Sequence, residues 1–204
     1  MPLYSKYVLP RLIDLAMRNR GASRLRAECI PSARGDVLEI GIGSGLNLPF
    51  YSSQVRRVYG IDPSVELQRM AAKKAADLPF DVTFFGQSAE ERFPVPDSSI
   101  DTIVMTWSLC SIPDPGAALQ HMKRVLKPNG SMIFVEHGRS PDPRVMKWQD
   151  RMTPVWKHIA GGCHLNRKID DLIRAAGFRT TEQRNFYLPG PRPMTYIYQG
   201  IATL

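Results

Sequence analysis

The sequence predicts an α/β protein built on a doubly wound sheet of about seven strands. Three observations support this prediction. Short apolar runs rich in Val and Ile alternate with helical segments over residues 36–137, a pattern typical of a parallel sheet covered on both faces. A glycine-rich turn follows the first run, and an acidic residue ends the second. Two further strand-like runs, 178–187 and 194–203, flank a Pro- and Gly-rich loop, which predicts an antiparallel C-terminal hairpin.

The alternation of patterns in the central segment predicts five strands, at 36–41, 57–62, 82–86, 100–106 and 131–137. Helices are predicted between them, at 46–53, 64–77 and 115–126. The last of these helices ends at Lys127-Pro128-Asn129-Gly130, because proline cannot continue a helix and Asn-Gly favours a turn. At 204 residues, the chain is long enough for one domain with a single large core.

Further helices are predicted on either side of the central segment. Residues 4–20 carry apolar side chains at helical spacing. We expect this helix to pack over the mouth of the site, and an interfacial membrane helix is the alternative. Helices are also predicted at 144–160 and 166–176, the second with Asn166 as its N-cap and Gly177 as the residue that ends it.

The composition is that of a soluble globular protein, with 43% hydrophobic and 23% charged residues. No apolar run approaches the ~18 residues needed to span a bilayer, and the charges scattered through the N-terminus argue against a secretory signal. We therefore expect a cytoplasmic location. The three cysteines, Cys29, Cys110 and Cys163, have no close spacing of the kind that predicts a metal site, and we expect reduced thiols.

The net charge of +8 is unevenly distributed. Residues 1–36 carry seven Lys or Arg against three acids, and residues 139–184 carry ten against five. Residues 37–138, by contrast, carry nine against eleven. Solvated helix faces are the simpler explanation of the basic surplus. Attraction to an anionic partner, such as a membrane surface or nucleic acid, is the alternative.

The glycine-rich turn predicts a nucleoside site. Glycines at alternate positions let the backbone turn sharply and let a flat ligand lie against the main chain: Gly41, Gly43 and Gly45. About 20 residues beyond this turn, Asp62 is placed to accept hydrogen bonds from ribose hydroxyls. The dinucleotide fingerprint requires its third glycine at position 46, which is Leu46 here. The spacing E-x-G-x-G-x-G, beginning at Glu39, resembles motif I of the class I S-adenosylmethionine (SAM) methyltransferases.

Three downstream segments resemble the same family. Residues 86–90 look like its adenine-contacting segment, although Ser88 stands where the family has an acid, which puts that contact in doubt. Residues 97–104 resemble its turn into the fourth strand, and residues 124–130 resemble a helix end and turn with a structural role. Together these matches cover about half of the chain.

The resemblance implies a Rossmann-like fold, mostly parallel with an antiparallel C-terminal strand. It divides the chain into an N-terminal helical cap, residues 1–35, and a SAM-binding methyltransferase domain, residues 36–204. It implies SAM as the cofactor and S-adenosylhomocysteine as the product. Carried onto the matching positions, the cofactor-binding residues are Glu39, Gly41, Gly43, Gly45, Asn47, Asp62, Pro63, Ser88, Ala89 and Thr106.

Four other segments resemble methyltransferase-like enzymes that methylate hydrogen sulfide and small alkyl thiols: 107–112, 134–137, 154–156 and 162–167. The resemblance implies a small thiol acceptor and in-line methyl transfer, a reaction for which no metal is expected. A thiol with a pKa near 8.5 is only a few per cent thiolate at pH 7, so a nearby base would help. The candidate catalytic residues are His137, which follows the fifth predicted strand, and His164. The candidate acceptor pocket consists of Trp107, Cys110, Trp148 and Cys163, with Trp156 as a further possible lining residue.

Three other functions remain open at this point. N- or O-methylation of a lipid or quinone head group would use the basic surplus at a membrane surface. Nucleic-acid modification is not expected, because Thr106-Trp107-Ser108-Leu109 replaces the Asn/Asp-Pro-Pro-Tyr/Phe motif of amine methylation and no aromatic-basic platform is present. The third function is the binding of SAM without any methyl transfer, as in a sensor or an assembly partner. The three cysteines also leave an arsenite acceptor conceivable, although none are closely paired in the sequence. A peripheral membrane contact is not expected, and the oligomeric state is left open.

Overall fold

A seven-stranded sheet forms the centre of the computed structural model, which describes Tyr4 and residues 8–204. The strands are β1 (Gly35–Ile40), β2 (Val55–Ile61), β3 (Asp81–Phe85), β4 (Ile100–Thr106), β5 (Leu126–His137), β6 (Arg179–Tyr187) and β7 (Tyr196–Thr203). Their order is β3-β2-β1-β4-β5-β7-β6. Strands β1 to β5 are parallel, and β7 lies antiparallel between β5 and β6. The predicted fold class, with its antiparallel C-terminal strand, is confirmed.

Helices cover both faces of the sheet. They are α1 (Leu9–Met17), α2 (Arg20–Cys29), α3 (Val65–Ala75), α4 (Pro115–Val125), α5 (Pro143–Ile159) and α6 (Ile169–Ala175). Side chains alternate along β1, so Leu38 and Ile40 pack in one apolar cluster with α4 and α6, whereas Val37 packs in a second cluster with α2. Within the described residues, no helix is both long and apolar enough to cross a bilayer.

The prediction of a helix over residues 46–53 is wrong. The structure has a single 3₁₀ turn, Leu48–Phe50, followed by extended backbone at Tyr51 with ψ of 135°. Pro49 has no backbone N–H to donate, and the chain must straighten to enter β2, so hydrogen bonding closes only one turn.

The N-terminal helices also differ from the prediction. The helix predicted over 4–20 ends at Met17 instead, and the part of this prediction that falls on residues 5–7 lies outside the described residues. A further helix, α2, is not among the predicted ones. Asn19 caps it by accepting a hydrogen bond from the backbone N–H of Ala22 at 2.9 Å.

The predicted N-cap at Asn166 is wrong as well. Helix α6 begins at Ile169, and the Asn166 side chain donates to Asp150 instead, at 2.8 Å. The other end of the helix agrees with the prediction, because Gly177 adopts a φ of +89° directly after it. Strand β5 begins at Leu126, five residues earlier than predicted, and its pairing with β4 shifts register over this added segment.

Candidate active site

A cavity of about 850 Å³ opens at the carboxyl ends of β1, β2, β4 and β5. This volume is in the range of pockets that hold small molecules, and the position is where parallel sheets bind ligands. The structure brings most of the predicted site residues to its wall: Glu39, Gly41, Gly43, Asn47, Asp62, Pro63, Ser88, Ala89, Thr106, Trp107, Cys110, His137 and Cys163.

The turn after β1 is joined to the end of β2 by Asp62. The Gly43 backbone N–H donates to Asp62 Oδ2 at 3.0 Å, and the Ser64 backbone N–H donates to Oδ1 at 2.8 Å. Burial raises the pKa of Asp62, and these two backbone donors oppose the rise. Each carboxylate oxygen has a further lone pair, so the group can still accept hydroxyl hydrogen bonds from a ligand in the cavity.

A buried polar network supports the same turn. Glu39 is 1% exposed, and its carboxylate accepts from Asn47 Nδ2 at 2.8 Å and from the Tyr51 hydroxyl at 2.7 Å. Burial raises the pKa of Glu39 to about 7. The guanidinium of Arg26, from α2, donates to Asn47 Oδ1 at 3.1 Å and lies 4.9 Å from the centre of the Trp107 ring. Burial lowers the pKa of Arg26 to about 10, so the group stays cationic beside the cavity that it lines.

Two thiols and an imidazole meet at the other end of the cavity. Cys163 Sγ lies 3.6 Å from Cys110 Sγ and 3.8 Å from His137 Nδ1. Cys110 follows β4 and His137 ends β5, which are neighbours in the sheet. The segment after α5 returns to the same edge of the sheet and packs closely against the turn after β4. A side chain at Gly162 would lie 2.9 Å from the Ser111 carbonyl oxygen, so this close approach requires glycine. Cys110 and Cys163, which are 53 residues apart in the sequence, are therefore neighbours in space.

The two thiols of this group differ in their surroundings. Cys163 is the less buried, and hydrogen bonding between its side chain and that of Cys110 lowers the pKa of Cys163. The same interaction and full burial raise the pKa of Cys110. Beneath them, the buried carboxylate of Glu136 accepts backbone hydrogen bonds from Ser108, Leu109 and Cys110, which fixes the turn after β4. Burial raises the pKa of Glu136 to about 7.

Three predicted site residues do not line the cavity. Gly45 packs against α3 instead, since a side chain there would lie 3.1 Å from Ala71. His164 is held by its backbone, whose N–H donates to the Cys110 carbonyl at 2.8 Å. Its Nδ1 is buried without a hydrogen-bond partner among the described residues, and burial lowers its pKa. Trp148 lies on the outer surface, 57% exposed, beside Arg144.

The backbone bond from His164 to the Cys110 carbonyl joins the two loops that carry the thiols, so the residue acts on the site through its main chain. The structure therefore corrects the predicted positions of Gly45, His164 and Trp148.

Arg26 is not among the predicted site residues, because helix α2, which carries it, is not among the predicted helices. Asn19, followed by apolar residues at helical spacing, is the signal that could have found this helix. Trp156, from the last turns of α5, lines the cavity in place of Trp148.

A family model described as a methyltransferase domain matches residues 14–183. The chain belongs to this methyltransferase family. The predicted family and its cofactor, SAM, are thus confirmed.

Curated relatives include thiol S-methyltransferases. The chain is 35% identical to thiol S-methyltransferase TMT1B of Homo sapiens over 173 residues, which cover 83% of this chain and 68% of the relative. It is also 35% identical to the TMT1B of Rattus norvegicus over 148 residues, covering 70% of this chain and 59% of the relative. A phosphatidylethanolamine N-methyltransferase of Cereibacter sphaeroides is 34% identical over 116 residues, 56% of this chain and 57% of that protein.

Solved structures share the fold at lower identity. A SAM-dependent methyltransferase from Methanosarcina mazei matches with a TM-score of 0.66 and 24% identity, over 82% of this chain and 91% of that chain. The [4+2]-cyclase SpnF matches with a TM-score of 0.74 and 21% identity, over 99% of this chain and 94% of that chain. At these identities the likeness concerns the fold alone and does not identify the methyl acceptor.

Proposed function

We propose that this chain transfers the methyl group of SAM to the sulfur of a small thiol. The observation that carries the proposal is one continuous cavity, which joins the glycine turn and Asp62 at one end to Cys110, His137 and Cys163 at the other. The thiol S-methyltransferases among the relatives support the choice of sulfur as the acceptor atom.

The cofactor half of the cavity suggests how SAM would lie. Its ribose hydroxyls would donate to Asp62, and its adenine would lie near Ser88 and Ala89, which line the same wall. Arg26 is a buried cation on the cavity wall beside Trp107, so it is suited to the carboxylate of the methionine moiety. This arrangement would direct the methyl group toward the end of the cavity that holds the two thiols.

The reaction is an in-line displacement. The acceptor sulfur forms a bond to the methyl carbon while the bond from that carbon to the sulfonium sulfur breaks, and the acceptor proton is lost. Orientation of the reacting atoms can contribute about 7–11 kcal/mol at best. The buried wall around Cys110 and His137 would remove water from the nucleophile, which makes an anionic sulfur more reactive.

A labelling assay tests this proposal. Purified protein is incubated with methyl-labelled SAM and with methanethiol, methanol or methylamine, three acceptors of similar size that differ in the nucleophilic atom. We expect label in dimethyl sulfide and none in the oxygen or nitrogen products. Absence of label from methanethiol, sulfide and dithiothreitol, in protein that binds SAM, would contradict the proposal.

A further inference from the structure

The group formed by Cys110, His137 and Cys163, called the thiol–imidazole cluster below, has the dimensions of a metal site. A tetrahedral ion with bonds of about 2.3 Å to sulfur and 2.0–2.1 Å to nitrogen separates its sulfur ligands by about 3.8 Å and sulfur from nitrogen by about 3.6 Å. The cluster has 3.6 Å between its two sulfurs and 3.8 Å between Cys163 Sγ and His137 Nδ1. All three ligand atoms lie within 4.8 Å of one another.

The donor atoms suit a thiophilic cation. Two thiolates and one imidazole form a ligand set that zinc uses in sites that leave one coordination position open. Cys110 is 2% exposed and His137 is 5% exposed, so water competes little for the ion. Two thiolates also neutralise the charge of a divalent cation, which lowers the cost of burying it.

The surroundings of His137 leave the correct nitrogen free. Its Nε2 lies 3.4 Å from the Pro193 carbonyl oxygen, so a proton on Nε2 leaves the lone pair of Nδ1 facing the two sulfurs. The same carbonyl accepts from Gln149 Nε2 at 3.1 Å, and Gln149 is fully buried. Metal-binding histidines are commonly held in this way through their second ring nitrogen.

We propose that Cys110, His137 and Cys163 form a three-ligand site for a thiophilic divalent cation such as Zn²⁺, with the fourth position open to the cavity. All three residues line the cavity, so a fourth ligand would come from the space where an acceptor binds. This second step rests on the proposed function. An acceptor thiol that takes the fourth position releases its proton to solvent and is held as a thiolate, from which methylation yields a neutral thioether and S-adenosylhomocysteine.

Cobalt titration of the reduced, metal-free full chain tests the ion site without SAM or turnover. Co²⁺ bound to thiolates in a tetrahedral site gives sulfur-to-cobalt charge-transfer absorption and intense visible bands. We expect both in the wild type at one equivalent, with loss on addition of Zn²⁺. The bands should be lost in Cys110→Ser and in Cys163→Ser. Cys29→Ser is the matched control. Cys29 is the last residue of α2, packs in the second apolar cluster and does not line the cavity.

Circular dichroism and SAM binding show whether each variant is folded. Absence of the bands in the folded wild type, or their persistence in both folded cavity variants, would overturn the ion site. A shift of the wild-type bands on addition of methanethiol supports the acceptor as fourth ligand, and unchanged bands at saturating thiol overturn that step. Because the titration involves no methyl transfer, its failure is distinct from a failure of the labelling assay.

Discussion

Asp62 has a structural role and a proposed role in binding the cofactor. Its two oxygens accept backbone hydrogen bonds from Gly43 and Ser64, so one carboxylate ties the turn after β1 to the start of α3. The side chain is nevertheless part of the cavity wall. The approximate distance of 20 residues from the glycine turn is enough to predict this carboxylate from sequence, because β1 and β2 are paired in parallel and end at the same edge.

Replacing Asp62 by Ala should weaken SAM binding by roughly 10- to 150-fold, because hydrogen bonds to a charged acceptor contribute about 1.5–3 kcal/mol. Isothermal titration calorimetry measures the change. Asp77→Ala, at an exposed aspartate outside the cavity wall, is the matched control. Unchanged affinity in a folded Asp62→Ala protein would show that the ribose is bound elsewhere.

Glu39 gives a prediction about pH. Burial raises its pKa from 4.5 to about 7, so between these values the folded protein holds more protons than the unfolded chain. Stability from this residue is therefore greatest below pH 4.5 and falls as the pH rises to about 7. Glu39→Gln keeps acceptor and donor groups for Asn47 and Tyr51 but does not titrate.

The stability of Glu39→Gln relative to the wild type should therefore increase by about 2–3 kcal/mol between pH 5 and pH 8. Urea denaturation of the SAM-free proteins at several pH values measures this difference. Glu136, whose pKa is raised in the same way, is present in both proteins and cancels from the comparison. Glu182→Gln, at an exposed position, is the control. A relative stability that does not depend on pH would contradict the buried, titrating Glu39.

Among the secondary-structure elements, local patterns in the sequence predicted the strands better than the segments between them. Runs of Val and Ile fix β1, β2 and β4 because strand preference and burial act on neighbouring residues. The prediction of a helix after β1 was wrong, because the conformation of this segment depends on hydrogen bonds from Asn47 and Tyr51 to Glu39 in β1. Such tertiary contacts leave no periodic signal in the sequence.

Two glycines of the turn after β1 should respond differently to substitution. Gly43 lines the cavity with a φ of +55°, and a Cβ there would meet only the Gly41 carbonyl oxygen, at 3.8 Å. Gly43→Ala should therefore lose SAM affinity while the free energy of unfolding falls by only about 1–2 kcal/mol, the cost of the left-handed backbone. A Cβ at Gly45 would lie 2.7 Å from Leu48 and 3.1 Å from Ala71. Gly45→Ala should add about 1–3 kcal/mol of overpacking to the backbone cost.

Denaturation and SAM titration of the two variants measure both effects, and each variant is the control for the other. Equal losses of stability in Gly43→Ala and Gly45→Ala would contradict the assignment of Gly43 to the ligand and Gly45 to the packing of α3.

The end of the cavity that we propose for the acceptor is assembled from distant parts of the whole chain. Cys110 and Cys163 are 53 residues apart, and His137 comes from a third element. The sequence predicts that Cys110 and His137 lie at the same edge, because each follows a parallel strand. It does not predict Cys163, since its position depends on how the segment after α5 returns to the sheet. Trp148 and Trp156 both belong to α5, so the packing of this helix against the sheet decides that Trp156 and not Trp148 reaches the cavity.

This assembly separates the two histidines that the sequence offers as catalytic candidates. His137 Nδ1 faces the thiol–imidazole cluster within the cavity, whereas the His164 side chain lies outside the cavity lining. His137→Ala should lower kcat by about 100-fold or more and leave SAM affinity unchanged, because the proposed function places the residue beside the acceptor and away from the cofactor. His164→Ala is the matched control and should retain turnover.

Steady-state kinetics with methanethiol measures kcat, and calorimetry measures SAM affinity, so the two effects can be separated. Parallel losses of kcat and SAM affinity in His137→Ala would indicate that the substitution disturbs the fold and not the acceptor end alone, and full activity would remove His137 from the reaction.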